Sequence, residues 1–317
     1  MRIAILDDFN KLAPSFAPWN GLAPAEVTFF SDHLEDEAAL VERLKPFDAV
    51  GLMRERTPMP RSLIAQLPQL KLIITTGKQN AAIDVKAAAD HGVVVCGTNS
   101  PGHATAELAF LLIMAQARRL LPNVLDLQAK GAWQTQLGQD CRGKTLGILG
   151  LGRLGGQLAK LGQAIGMNLI AWSQNLKPEA CAALGVEYVD KATLFARSDF
   201  VSIHLRLSER TRGLVGAPEL AALGPQAYLV NTSRAEIVDQ QALLAALDSG
   251  TLGGVATDVY VSEPAHHGNE KLIGHPRALC TPHVGYVTRE TYEIFYGEMV
   301  EGLAAWLKGA PIRVIAP

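Results

Sequence analysis

Lys144-Thr-Leu-Gly-Ile-Leu-Gly-Leu-Gly-Arg-Leu-Gly155 decides the fold. An apolar run, Leu146–Leu149, leads directly into the spacing GxGxxG at Gly150, Gly152 and Gly155, and the sequence predicts a helix over Leu154–Gly166. Such a strand–turn–helix placement has a physical purpose. Gly150 permits the tight turn, Gly152 lets backbone approach a pyrophosphate, and Gly155 lets helix and strand pack closely. Arg153 and Leu154 complete the turn, and the helix N-terminus offers unpaired N–H groups to phosphate oxygens. The glycines, Arg153 and Leu154 are therefore candidate cofactor-binding residues for a dinucleotide. The next apolar run, Asn168–Trp172, is followed by Ser173-Gln-Asn. An NAD site usually has an acidic residue here for the ribose 2′-OH. With Ser173 in that place, NAD or NADP is permitted and neither is specified.

Outward from this segment the chain alternates short apolar runs with amphipathic ones. Arg2–Leu6, Val27–Phe30, Ala49–Met53, Leu72–Thr75 and Val93–Cys96 read as strands, with helices expected over Glu35–Leu44, Arg61–Leu67 and Asp84–His91. A long helix is expected over Ala104–Leu121, followed by a polar connector containing Gly131, Trp133 and Gly138. After the glycine segment, Phe200–His204, Tyr228–Asn231 and Gly254–Thr257 continue the strand series, and Glu290–Lys308 reads as one helix. Alternation of this kind implies parallel sheets covered on both faces. The expected class is α/β with two doubly wound domains.

At 317 residues the chain suits about two domains, on a scale of roughly 150 residues each. Apolar residues make up 48% and charged residues 19%, a globular composition. A net charge of −2 with no basic run argues against nucleic acid and against anionic membranes as partners. Cys96, Cys141, Cys181 and Cys280 are scattered and form no CxxC, which argues against a disulfide scaffold and a zinc pattern. No metal site is expected, since His266 and His267 lack a third ligand at suitable spacing. A cytoplasmic location is expected.

Three ionisable residues follow predicted strands or stand in nearby loops: Arg234 in Asn231-Thr-Ser-Arg, Glu263 in Asp258-Val-Tyr-Val-Ser-Glu-Pro, and His283 in Thr281-Pro-His. Ligands of open parallel sheets bind beyond the carboxyl ends of strands. Three such residues could converge there on one substrate.

At these residues the chain resembles the D-isomer-specific 2-hydroxyacid dehydrogenase family. The resemblance also rests on Thr75-Thr-Gly-Lys-Gln-Asn-Ala-Ala-Ile-Asp and on the glycine segment, and covers nearly the whole chain. It implies a Rossmann nucleotide domain, residues 100–286, inserted into a smaller flavodoxin-like substrate domain made of 1–99 and 287–317. It also implies an active site in the cleft between them, a homodimer, and hydride transfer between a nicotinamide cofactor and C2 of a small 2-hydroxy or 2-oxo acid. Under it, Arg234 binds the acid and polarises its ketone, His283 exchanges the proton of the C2 oxygen, and Glu263 orients His283. The backbone around Gly77 and Lys78 would hold the carboxylate. Asp258 would contact the nicotinamide carboxamide, with Thr232 and Ser233 lining the same region.

Some positions depart from that family's pattern. Ala235 stands where glycine commonly follows the arginine, and Arg206 replaces a proline near the expected cofactor. Arg206 is a candidate phosphate contact. His204, at a strand end, reads on its own as structural and is counted among the cofactor-side candidates. The segment beginning at Asn99 is shorter than its usual counterpart before the long helix. Arg54, after the strand Ala49–Met53, and Lys78 are candidate cations for a second polar group of the substrate, unless local acids or solvent satisfy them. Two other functions compete: a non-catalytic dinucleotide-sensing, corepressor-like protein on the same fold, and a formate- or phosphite-oxidising relative.

Overall fold

A computed structural model describes residues 1–317, apart from the side chain of Lys130. The chain divides into two compact units. One joins Met1–Pro101 to Thr288–Pro317, and the other is Gly102–Val287.

In the first unit, strands β1 (Arg2–Ile5), β2 (Glu26–Phe29), β3 (Ala49–Leu52), β4 (Leu72–Thr75) and β5 (Val94–Gly97) form a parallel sheet of order β2-β1-β3-β4-β5. This is the flavodoxin-like doubly wound order. Every residue of β3 and β4 is buried, as two covered faces require. Asp36 and Asp84 cap the helices Glu37–Leu44 and Val85–Asp90, accepting from the amides of Ala39 at 2.8 Å and Ala87 at 2.7 Å. The helix Arg289–Leu307 belongs to this unit because small residues let it lie close to the sheet. A β-carbon on Gly302 would stand 2.6 Å from Ile74 Cδ1, and one on Gly51 would stand 2.9 Å from Met299 Sδ. The apolar end of the chain then bonds to β5, with the Ile315 amide on the Val95 carbonyl at 2.8 Å.

In the second unit, β6 (Thr145–Leu149), β7 (Asn168–Trp172), β8 (Glu187–Tyr188), β9 (Phe200–Ile203), β10 (Tyr228–Asn231), β11 (Gly254–Thr257) and β12 (Ala278–Cys280) form a parallel sheet. Its order is β12-β11-β10-β9-β6-β7-β8. The order reverses direction between β6 and β9, and such a switch point opens a crevice for a nucleotide at the carboxyl ends of the strands. One core cluster gathers Leu149, Ile170, Val201, Ile203, Leu229 and Val255 with the helices on one face. Another gathers Ile113, Leu146, Ile148, Leu158, Val230 and Ala256 on the other.

The expected single helix Ala104–Leu121 is a correction. It is two helices, Ala104–Ala117 and Leu120–Lys130, bent by 64°. Arg119 sits at the break in the left-handed region, φ 48°. Pro122 lacks an N–H to continue the ladder from Arg118, but it fits in the first turn of a new helix. Among the described residues no single helix is long and apolar enough to cross a membrane.

One buried pair in the first unit makes stability depend on pH. Asp7 is buried, and its carboxylate meets His33 Nδ1 at 2.8 Å and Thr57 Oγ1 at 2.6 Å. The hydrogen bond to Asp7 raises the His33 pKa above its ordinary 6.5, against the opposing effect of burial. A raised folded-state pKa gives a contribution that is complete below the unfolded value and is lost as pH rises through the folded one. The Tm difference between the native protein and His33→Gln is therefore expected to be larger near pH ~5.5 than near pH ~9. A difference that stays constant or grows with pH contradicts this.

Candidate functional site

The glycine turn after β6 has the geometry the spacing predicted. Gly150 has φ 105°, and a β-carbon there would stand 2.9 Å from the His204 carbonyl oxygen. A β-carbon on Gly155 would stand 2.2 Å from the Gly150 carbonyl oxygen. At Gly152 a β-carbon would meet nothing within 4 Å, so this glycine leaves open space where a side chain would otherwise stand. Gly152 is also the N-cap of the helix Arg153–Ala164 and gives its amides no side-chain acceptor. Open space faced by helix amides fits a pyrophosphate. Leu154 lies in the first turn of this helix, and Arg153 packs across Gly102, whose β-carbon would fall 2.0 Å from Arg153 Nη1.

Ser173 follows β7 directly, and the Gly150 amide bonds to the Trp172 carbonyl beside it at 2.9 Å. His204 follows β9. Its Nε2 lies 2.9 Å from Ser202 Oγ, and burial pushes its imidazole down to about 4. A neutral, internally bonded ring supports the structural reading of His204, while its carbonyl shapes the glycine turn. Arg206 is exposed in the loop that follows.

The second half of the same sheet carries the ionisable residues. Arg234 lies three residues beyond β10, Glu263 beyond β11 and His283 three residues beyond β12. His283 Nδ1 stands 2.6 Å from Glu263 Oε2, and Glu263 Oε1 accepts the Tyr260 amide at 3.0 Å. Burial pushes the Glu263 carboxyl up, but the His283 hydrogen bond and charge, the Tyr260 amide and the Arg234 cation outweigh it. The net result lies below the usual value. Glu263 is therefore an anion at neutral pH, and a donor is required on Nδ1 of His283. The ring of Tyr286 meets that of His283 edge-on at 5.3 Å. Arg234 Nη1 donates to the Ser233 carbonyl at 2.7 Å, through one of the five donors of its planar guanidinium.

His283 has φ 51°, a left-handed conformation uncommon for residues other than glycine. Asp258 holds it there. Asp258 is 1% exposed, and its Oδ1 accepts from Thr281 Oγ1 at 2.6 Å and the Val284 amide at 2.8 Å. Its Oδ2 accepts from the Gly285 amide at 2.8 Å. The role expected of Asp258 at a carboxamide thus competes with three internal donors. Ser233 Oγ donates to the Leu205 carbonyl. Thr232 Oγ1 is buried without a hydrogen-bond partner, so it can serve a bound molecule.

The candidates of the first unit follow β3 and β4. Arg54 takes the alternative left open above, a pairing with a local acid. Its guanidinium lies across the Gly77 turn, donating to the Thr76 carbonyl at 3.1 Å and pairing with Glu55 at 3.4 Å. That placement exists because residue 77 is glycine, φ 92°, whose β-carbon would fall 1.9 Å from Arg54 Nη1. A local acid thus pairs with this cation. The Gly77 amide is likewise engaged, donating to Thr98 Oγ1 at 2.8 Å, while Lys78 is exposed on the same turn. Sequence reasoning missed Tyr260, Thr281 and Tyr286. Each lies within three residues of Glu263 or His283, and that proximity was the available signal.

Residues 110–285 match the family described as D-isomer specific 2-hydroxyacid dehydrogenase, NAD binding domain. A glyoxylate reductase of Thermococcus litoralis is 36% identical over 310 residues, covering 92% of each chain. A hydroxypyruvate reductase of Thermotoga maritima is 34% identical, covering 95% of this chain and 96% of its own. The crystal structure of a phosphoglycerate oxidoreductase from Vibrio cholerae O395 superposes with a TM-score of 0.93 at 41% identity, over 98% of this chain and 100% of that one. The chain belongs to the D-isomer specific 2-hydroxyacid dehydrogenase family, and it is an oxidoreductase of 2-hydroxy and 2-oxo acids that works with a nicotinamide cofactor.

Proposed function

We propose that this enzyme interconverts a small, polar 2-oxo acid of the glyoxylate or hydroxypyruvate class with its D-2-hydroxy acid, in the cytoplasm and as a homodimer. Its chemistry rests on His283, Glu263 and Arg234. The observation that carries this reading is the 2.6 Å contact between His283 Nδ1 and Glu263 Oε2. With Nδ1–H donating to the carboxylate, Nε2 is the nitrogen that exchanges a proton with the C2 oxygen. Glu263 fixes the ring, whose imidazolium is the form that acts as an acid during reduction. Arg234 places a permanent cation and a planar fork where a carboxylate and a C2 oxygen are bound, lowering the energy of negative charge on that oxygen.

The nicotinamide cofactor supplies or accepts the hydride when bound. Gly150, Gly152 and Gly155 and the amides at Arg153 and Leu154 would hold its pyrophosphate. Ser173 would hold the adenosine ribose, and Thr232, Ser233 and Asp258 would lie on the nicotinamide side. Ser173 is polar and uncharged, so both NADH and NADPH are substrates. In the first unit, the turn at Gly77 and Lys78 offers the exposed Lys78 cation to an acid.

The substrate class is supported by the two reductases reported above and by the exposed Lys78, which favours polar tails. The homodimer is supported by Leu125, Leu127, Trp133 and Leu137 of the second unit, which expose apolar side chains in one stretch of chain. The cytoplasm is supported by four free cysteines, three of them buried. The relatives reported are named as enzymes, which gives the non-catalytic reading no support.

A panel of 2-oxo acids with each reduced cofactor tests the proposal. Glyoxylate and hydroxypyruvate are expected to exceed bulky apolar acids in kcat/KM; the reverse order contradicts it. His283→Gln is expected to keep cofactor binding and lose about 10²–10⁴ in turnover. Glu263→Gln is expected to retain more activity than His283→Gln, because the ring loses its orienting anion but keeps its proton-exchanging nitrogen. Near-normal turnover in His283→Gln excludes that residue as the acid. Arg234→Lys keeps the charge without the fork, so KM for the acid is expected to rise while kcat falls. A change confined to cofactor affinity would reassign Arg234.

A further inference from the structure

The loop after β9 is built against the ribose edge of the nucleotide site. In the sheet order, β6 lies between β9 and β7. The β9 loop crosses over the end of β6, because Gln174 Nε2, one residue past Ser173, bonds to the Arg210 carbonyl at 3.2 Å. Its start is fixed beneath this crossing. The Leu205 carbonyl accepts from Ser233 Oγ, and the missing β-carbon of Gly150 would meet both the His204 carbonyl oxygen and Leu205 Cδ2 at 2.9 Å. The middle is fixed by Thr211. Its Oγ1 donates to the Arg206 carbonyl at 2.7 Å and accepts the Ser208 amide at 2.8 Å.

Three arginines ride on this braced loop. Arg212 faces Glu236 at 3.9 Å. Arg206 and Arg210 are exposed and have no ion-pair partner among the described residues. On the facing side, Ser173-Gln174-Asn175-Leu176-Lys177 carries no carboxylate and ends in a cation. The acids nearby in sequence are Glu179 and Glu209, one on each side. The edge that would hold the ribose 2′ position thus faces a second loop that carries exposed arginines, with no carboxylate on its own strand end.

We propose that Arg206 and Arg210 recognise the 2′-phosphate of NADP, so that the loop after β9 sets cofactor preference from across the crevice. This rests on the reading of the glycine turn as the dinucleotide site. A phosphate monoester has three oxygens for the five donors of a guanidinium, and a charge-assisted contact distinguishes it from a ribose hydroxyl. The loop's position is already tied to Gln174 in the free protein, so little order has to be gained on binding.

Calorimetric titration with NADP⁺ and NAD⁺, which differ only in the 2′-phosphate, tests this without turnover. The native protein is expected to bind NADP⁺ more tightly. Arg206→Ser and Arg210→Ser should each weaken NADP⁺ by about tenfold while leaving NAD⁺ unchanged, which also reports that the variants are folded. The preference should shrink as salt rises. Ser173→Asp should weaken NADP⁺ by repulsion from the other side. Equal affinity for both cofactors in the native protein, or a preference untouched by both arginine variants, overturns the proposal while leaving the dinucleotide site intact. Binding of neither cofactor overturns the dinucleotide reading itself.

Discussion

A buried carboxylate organises the end of the second sheet. Asp258 closes β11 in almost complete isolation from water, and burial raises its carboxyl pKa against the donors that favour the anion. An unpaired charge in such a place is costly, and removing one partner of a buried pair typically costs about 3–5 kcal/mol. Asp258 is therefore tolerated only with donors around it, and those donors are Thr281, Val284 and Gly285. The residues that satisfy Asp258 flank His283 on both sides. The same demand that stabilises the carboxylate bends the backbone at residue 283 into the left-handed region and aims its ring at Glu263. Tyr260 joins in from both ends, its amide on Glu263 and its hydroxyl on the Thr281 carbonyl at 2.8 Å.

Strand order then distributes the work. β6, β7 and β9 end in the glycine turn, Ser173 and the Arg206 loop, while β10, β11 and β12 end in Arg234, Glu263 and His283. The proposed nucleotide contacts and the proposed acid–base residues occupy adjacent halves of one sheet edge. Ser233, bonded to the Leu205 carbonyl, links the two halves through side chain and backbone. A substitution in the β9 loop can therefore disturb the arginine side of the site without touching it.

Much of this was legible in the sequence where one local rule dominates. Buried parallel strands are short apolar runs, so ten of them could be read directly, and the glycine turn follows from steric limits at Gly150 and Gly155. Two strands were not legible. β8 is the two-residue Glu187–Tyr188 with both residues exposed, and β12 is three residues long. The break at Arg119 was hidden because Leu120 and Leu121 continue the apolar pattern and the bend is set by one left-handed residue before Pro122. At the site, Arg234, Glu263 and His283 were readable as residue types after strands and by resemblance. The role of Asp258 was not, since its partners lie 23 to 27 residues away in sequence. For Arg54, the pairing with adjacent Glu55 was readable as an alternative, while the Thr76 carbonyl, 22 residues away, was not. That its neighbour Glu55 and the Thr76 carbonyl bind it depends on a turn only Gly77 allows.

In the proposed mechanism Glu263 holds His283 with the proton on Nδ1, leaving Nε2 for the substrate. Nitrogen NMR of the protein labelled at histidine, at a pH where His283 is neutral, reads this directly. A protonated Nδ1 and an unprotonated Nε2 are expected for His283, with that balance lost in Glu263→Gln. A neutral His283 carrying its proton on Nε2 would contradict it.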